Sequence, residues 1–410
     1  MEKEFEIFEL PNGIRLVHRK VNRPVGHCGL MIQAGSRDET PQTEGLAHFI
    51  EHVLFKGTRK RKAFHILSRM EDVGGELNAY TTKEDTVIYA SFLANDFQRA
   101  MELILDIGFN STFPDKELLK EKDVIIDEIN SYKDSPSELI FDDFEALLFP
   151  DHPLGMNILG TPETVRSFKR ADVLNFLDNA YGTDRMVFSY VGNIEAEKIR
   201  DYLQKLLAEI PLKAGSLQRQ APLPYRSLRQ EDERPVFQSH VIAGNRAYAA
   251  DDPKARTLHL LNNLLGGPGM NSRLNLNIRE KYGFTYNIES FYTPYADTGV
   301  FGIYAGTDPL TMERTLKLIE KELKRLRENK LGVIQLSKAK RQILGQIAMA
   351  QENNVALMLA LGKSLLTFNR IDTFEEIRDK IESITASDLM EVANEILAPD
   401  QLSTLIYKPA

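Results

Sequence analysis

Apolar and polar residues alternate in short bursts at the start of the chain, predicting strands over 5–10, 14–18 and 26–34, with Pro11, Asn12 and Gly13 as a tight turn between the first two. The period then changes. Leu46, Phe49, Ile50, Val53 and Leu54 recur at helical spacing and predict a buried helix over about 43–56, with Gly57 placed to end it in a left-handed cap. A helix over 62–72 is expected next. After Gly74 and Gly75 comes a strand pair, 76–80 and 86–92, around a polar turn. Helices are predicted over 95–110 and 116–132, the second with Asp115 as N-cap and bounded by Pro136. Helices near 137–148 and 170–180 precede a closing strand at 186–191. Such a pattern is α+β, with helices packed on one face of a mostly antiparallel sheet.

The pattern then begins again. Residues 213–232 are polar, carry Pro222 and Pro224, and suit a linker. Beyond them a helix over 255–265 stands where the 43–56 helix stood, and a strand at 298–305 where 86–92 stood. Helices over 313–324 and 336–347 match 98–106 and 118–129, and 388–405 mirrors 172–189. The prediction is two tandem homologous domains, 1–212 and 233–410, joined by that linker.

A chain of 410 residues with 42% hydrophobic and 27% charged residues is a globular protein with more than one core. No run approaches the ~20 apolar residues of a membrane span. The first eight residues alternate charged and apolar side chains and lack a signal-peptide core, so the chain is read as unexported and cytoplasmic. The single Cys28 suits a reducing compartment. A net charge of −8 argues against a nucleic-acid partner, and the basic cluster of Lys56, Arg59, Lys60, Arg61 and Lys62 is read as a solvated loop.

Chemistry concentrates on the 43–56 helix. His48 and His52 are four positions apart, so both imidazoles lie on one face, and Glu51 shares that side. Two imidazoles and a carboxylate on an otherwise apolar helix are unfavourable unless they bind something. A catalytic zinc site needs three protein ligands and an open position, so a third ligand is expected from elsewhere, with a carboxylate the expected type. The 116–132 helix offers Glu121, Asp123, Asp127 and Glu128. Glu121 and Glu128 share the core side with Leu118, Ile125, Ile129 and Tyr132. In the repeat, Glu51 and His52 align with Asn262 and Asn263, Glu128 aligns with Gln346, and His259 stands opposite His48. Metal chemistry is therefore predicted for the first half alone.

The H-x-x-E-H run at 48–52, with Glu128 lying 128 − 52 = 76 residues on and the segment 121–129 around it, resembles the inverted-zincin metallopeptidases of the pitrilysin, insulysin and mitochondrial-processing-peptidase family. The resemblance implies one Zn2+ per chain held by His48, His52 and Glu128, and Glu121 as an outer carboxylate orienting a ligating imidazole. Glu51 would be general base on the zinc-bound water. The run 74–81 resembles the family's edge strand, on which an extended peptide is laid, with Asn78, Ala79 and Tyr80 as substrate contacts. The runs 266–274 and 279–286 resemble its glycine loop and its Arg/Tyr segment, with Arg279 and Tyr286 holding substrate and stabilising the oxyanion. Phe284 departs from the smaller aliphatic residue of many relatives and bears on where the Tyr286 ring lies.

The implied activity is zinc-dependent endopeptidase action on peptides or unfolded segments. Two chains would enclose a chamber, as a homodimer or as a heterodimer with a homologous chain. An inactive scaffold subunit is the alternative, against which the intact His48, Glu51, His52 and Glu128 speak. A lyase of the S-ribosylhomocysteine type shares the H-x-x-E-H run but is much shorter and uses a downstream cysteine ligand. Here Cys28 lies upstream in a β-rich run and reads as a small buried apolar residue.

Overall fold

The structure is a computed structural model that describes residues 4–216 and 218–410. The alternation read in Met1, Glu2 and Lys3, and Leu217 of the expected linker, lie outside the described residues. Strands β1 (Glu6–Glu9), β2 (Arg15–Lys20), β3 (Val25–Ile32), β4 (Glu76–Thr81), β5 (Thr86–Leu93) and β6 (Met186–Gly192) form one sheet in the order β1-β2-β6-β3-β5-β4. Strands β7 (Arg229–Arg234), β8 (Ser239–Ala247), β9 (Thr285–Pro294), β10 (Gly299–Thr307) and β11 (Ser403–Pro409) form a second, in the order β7-β11-β8-β10-β9. Leaving out β1, the two orders are the same. In each sheet one pairing is parallel, β2 with β6 and β7 with β11. The α+β fold with two tandem homologous sheets, expected from the repeating pattern, is what the chain forms.

The helices of the first half are α1 (Leu46–Leu54), α2 (Ala63–Glu71), α3 (Phe97–Asn110), α4 (Asp115–Lys133), α5 (Pro136–Leu148), α6 (Pro162–Ser167), α7 (Arg170–Ala180) and α8 (Ala196–Leu206). The second half contributes α9 (Ala255–Gly266), α10 (Met312–Glu328), α11 (Val333–Ala350), α12 (Asn354–Phe368), α13 (Phe374–Ser383) and α14 (Ala386–Ile396).

The compact units do not follow boundaries at 212 and 233. One joins the chain up to Asn130 with Met156–Arg219 and Met349–Ile371, and the other joins Ser131–Gly155 with Gln220–Ala348 and Asp372–Ala410. In the first unit, Leu16, Leu30, Ile32 and Phe188 face a core shared with Ile50 of α1 and Ile104 of α3. The opposite face, Val17, Met31, Val87, Val187 and Val191, is covered by Leu357, Met358, Leu361 and Leu365 of α12. Ser189 Oγ donates to the Met358 carbonyl at 2.7 Å, and Arg15 to that of Leu365 at 3.0 Å. The helices expected on one face are thus joined by one on the other face, which comes from the C-terminal half. In the second unit α5 has the same role, packing Ile140, Phe144 and Leu148 against Ile242, Val300, Leu405 and Tyr407.

The cause is visible in the strands. All seven residues after Val25 in β3, and all of β10, are buried, so both faces of each sheet are apolar and each needs cover. The polar run read as a linker to 232 also takes in the first four residues of β7, whose Arg-Gln-Glu-Asp-Glu-Arg sequence lacks any apolar alternation. It forms because an outermost strand pairs on one side only, where charged side chains remain in water.

Candidate metal centre

Helix α1 begins at Gly45, which takes φ 90° and has no side chain to cap the free N–H groups of the first turn. Glu39 does this from a distance. Its carboxylate accepts from the Gly45 N–H at 2.8 Å and the Ala47 N–H at 2.6 Å. At the other end the helix stops at Leu54, and the Lys56 N–H bonds the Val53 carbonyl at 3.1 Å, tightening the last turn. Gly57 is therefore not the left-handed cap expected of it: it adopts φ 144° and bridges Lys62.

His48 is buried and its ring lies 4.6 Å from that of His52, at 65°. From α4, Glu128 Oε2 comes within 3.9 Å of His48 Nε2 and 3.5 Å of His52 Nε2. The donor atoms of these three residues all lie within 4.8 Å of one another. Ligands on a tetrahedral zinc with ~2.1 Å bonds sit about 3.4 Å apart, so the trio fits such an ion. Glu121 is buried one face-repeat earlier on α4. Its Oε1 accepts from His52 Nδ1 at 3.0 Å and its Oε2 from Lys56 Nζ at 2.7 Å. With the proton of His52 on Nδ1, the Nε2 lone pair faces Glu128. His48 Nδ1 is buried and has no hydrogen-bond partner among the described residues. Asp123 and Asp127, also offered by this helix, are exposed.

Burial, with His52 alongside, pulls the His48 imidazole down to about 3, which leaves it neutral and able to donate a lone pair at neutral pH. Burial also pulls His52 down, but the hydrogen bond to Glu121 and the charges of Glu128, Glu121 and Glu51 outweigh it and raise its affinity for a proton. Burial would raise the Glu121 carboxyl, and His52 with Lys56 more than offset that and hold it below the ordinary carboxylate range. Glu51 is pushed up by burial against the pull of Thr81 and His52. A carboxyl with raised proton affinity beside a metal-type donor set suits general-base work.

Lys56 and Arg61 also correct the reading of the basic cluster as a solvated loop. Lys56 holds Glu121, and Arg61 bridges Glu102 at 2.7 Å and Asp106 at 2.5 Å; only Arg59, Lys60 and Lys62 are exposed. Neither Glu39 nor Lys56 stood out in sequence as part of the centre. The signal available for Lys56 was its position four residues after His52, on the same face.

Strand β4 is an edge of its sheet and pairs with β5 alone, Asn78 opposite Tyr89 and Ala79 opposite Ile88. Leu77 and Ala79 pack into the core that contains α1, and Tyr80 packs on the α12 side. By alternation Thr81 shares the α1 face, while the exposed Asn78 shares that of Tyr80. What 78–80 offer at the edge is their outward backbone N–H and C=O groups.

In the second unit, Arg279 lies over the Tyr286 ring at 5.5 Å, and both line an open pocket of about 450 Å³ with Phe237, Phe284 and Asp308. Phe284 stacks on Tyr282 at 5.4 Å beneath Arg314, and the Tyr286 ring is exposed. On α9, the counterpart of α1, His259 packs against Tyr292 with ring centroids 4.6 Å apart. Asn262 gives its carbonyl to Ser290 Oγ. Cys28 is fully buried in β3, and burial raises its thiol.

Residues 16–162 match the family description Insulinase (Peptidase family M16), and residues 167–343 match Peptidase M16 inactive domain. An uncharacterised zinc protease of Rickettsia bellii is 33% identical, covering 99% of this chain and 98% of its own. The β subunit of mitochondrial-processing peptidase from Saccharomyces cerevisiae is 30% identical, covering 94% of this chain and 87% of its own. Among solved structures, a protease from Helicobacter pylori superimposes with a TM-score of 0.92 at 22% identity over 99% of both chains, a likeness of fold. With its H-x-x-E-H helix, the distant glutamate on α4 and this full-length similarity, the chain belongs to peptidase family M16.

Proposed function

We propose that this chain is a zinc-dependent endopeptidase, with one zinc per chain held by His48, His52 and Glu128. The observation that carries the proposal is the convergence of two imidazole nitrogens and a carboxylate oxygen within 4.8 Å, with the His52 tautomer fixed by Glu121. Among the described residues no other such cluster of three occurs, which supports a single centre. Bound there, zinc supplies Lewis acidity, which polarises a scissile carbonyl and makes water a nucleophile near neutral pH.

The chain's own residues do the rest. Glu51 takes a proton from the attacking water on its carboxylate and delivers it to the leaving amine. An extended peptide adds to the free edge of β4, its backbone bonding those N–H and C=O groups of 78–80 that, alternating along the strand, point away from β5. Arg279 and Tyr286 are assigned substrate contact, which their exposed cation–aromatic pairing supports. Edge-strand binding requires a peptide without secondary structure of its own, so peptides and unfolded segments are the substrate class. A relative named as a subunit of mitochondrial-processing peptidase supports pairing with an identical or homologous chain.

The test combines metal analysis with a quenched-peptide cleavage assay. The wild-type chain is expected to hold zinc and cleave. Glu51→Gln is expected to hold zinc and lose hydrolysis by about 100-fold or more, the scale of a general base. Full activity in that variant would refute the mechanism, and a wild-type chain with neither zinc nor cleavage would favour the scaffold alternative.

A further inference from the structure

We propose that Glu39 is a positioning residue that fixes the metal-bearing helix α1 relative to the edge strand β4. The proposal rests on the zinc-peptidase reading above and names a residue that this reading does not use. Glu39 is buried, and its carboxylate spans the first turn of α1 through Gly45 and Ala47. A local cap is excluded by packing. A Cβ at residue 45 would lie 2.7 Å from both Gly160 Cα and the Leu159 carbonyl, at a φ that strains any other residue. The Leu46 N–H finds the Thr43 carbonyl at 3.0 Å, but those of Gly45 and Ala47 depend on a side chain from outside the helix.

What distinguishes Glu39 from an ordinary cap is where its own backbone is anchored. The preceding turn is tied to the loop that ends β4: Ser36 N–H bonds the Thr82 carbonyl at 3.2 Å, and Arg37 N–H bonds that of Lys83 at 2.7 Å. The Arg37 guanidinium pairs with Glu84 at 2.6 Å. Gly35 lies so close that a Cβ would be 2.4 Å from the Thr82 carbonyl. Asp38 is gripped by Arg219 through two bonds of 2.9 and 2.8 Å. The chain of contacts runs from β4 through this turn to Glu39 and into the helix carrying His48, Glu51 and His52. Burying a carboxylate is unfavourable, and burial raises Glu39 well above the ordinary range against the pull of the two N–H groups and Lys83. A shift at Glu39 moves the imidazoles and the general base together against the strand on which substrate is laid.

The experiment compares full-length wild type, Glu39→Gln and Glu39→Asp. Zinc affinity of the zinc-free chains is read by competition with a chromophoric chelator, the cobalt-substituted chains by their visible absorption, and the zinc-loaded chains by kcat per bound zinc and KM. The Gln amide sets an NH2 group against one of the helix N–H donors. It is expected to weaken zinc binding about tenfold or more, the scale of removing an outer partner of a metal site, and to shift the cobalt absorption. kcat per bound zinc is expected to fall by about the same factor while KM stays within about twofold, because the strand that binds peptide is untouched. Asp keeps the charge one methylene short and is expected to fall between the two; if the Gln chain does not fold, it carries the same comparison. Zinc affinity within about twofold of wild type, with an unchanged cobalt spectrum, would overturn the proposal. A wild-type chain that binds no zinc would overturn the reading of the centre, and the proposal with it.

Discussion

Replacing Glu121 by Gln separates an orienting carboxylate from a passive buried one. Glu121 accepts hydrogen bonds from His52 Nδ1 at 3.0 Å and from the Lys56 ammonium at 2.7 Å, and both bonds are charge-assisted. Hydrogen bonds to charged groups contribute ~1.5–3 kcal/mol and neutral ones ~0.5–1.5, so the exchange at His52 weakens orientation by about 1–2 kcal/mol. If that bond fixes the His52 tautomer for metal binding, the loss appears as roughly 5- to 30-fold weaker zinc affinity. The assay is chelator competition on the zinc-free protein at fixed pH. Lys56→Met in both backgrounds closes a double-mutant cycle, and a coupling of about 0.5–3 kcal/mol with Glu121 is expected for residues in one network. Zinc affinity of Glu121→Gln within about twofold of wild type would refute the reasoning, because the tautomer would then be set without this carboxylate.

Two further outcomes follow from the fold. Residues 4–212 produced alone lack α12 and leave Val17, Met31, Val87, Val187 and Val191 uncovered, along with the Ile140, Phe144 and Leu148 face of α5; size-exclusion chromatography is expected to find aggregate, with a compact monomer recovered only when 349–371 is appended through a flexible linker and those three α5 residues are made polar. The zinc-free chain is expected to lose thermal stability as pH falls from about 6.5 toward 5. Burial lowers the proton affinity of His18, which bonds the Ile194 carbonyl at 2.8 Å, so the unfolded chain takes up a proton near pH ~6.5 that the folded chain refuses. Melting curves of His18→Gln across that range are expected to slope less steeply than those of wild type.

The legible features are those encoded locally. The α1 imidazoles and the two α4 glutamates announce themselves by helical spacing, and β4 and β5 by alternation about a polar turn. The identical order of β2, β6, β3, β5, β4 and β7, β11, β8, β10, β9 bears out the repeat. What escaped is non-local. Helix α12 is apolar on several sides because it is a lid for a sheet formed 169 to 350 residues earlier, as the Ser189–Met358 and Arg15–Leu365 contacts record. Its mirror image, α5, crosses in the other direction, so a boundary drawn through the most polar stretch could not separate the units. Strand β7 has no apolar face to betray it. Glu39 caps a helix whose N-cap residue, Gly45, admits no side chain, and nothing in the spacing from 39 to 45 resembles a local cap.

The proposed zinc centre is single and built from α1 and α4. Anomalous diffraction at the zinc edge from crystals of the zinc-loaded chain tests it most directly. One peak per chain is expected, enclosed by His48, His52 and Glu128, with none beside Asn262, Asn263 or Gln346 in the second half. A peak elsewhere, or a second one at those amides, would contradict it.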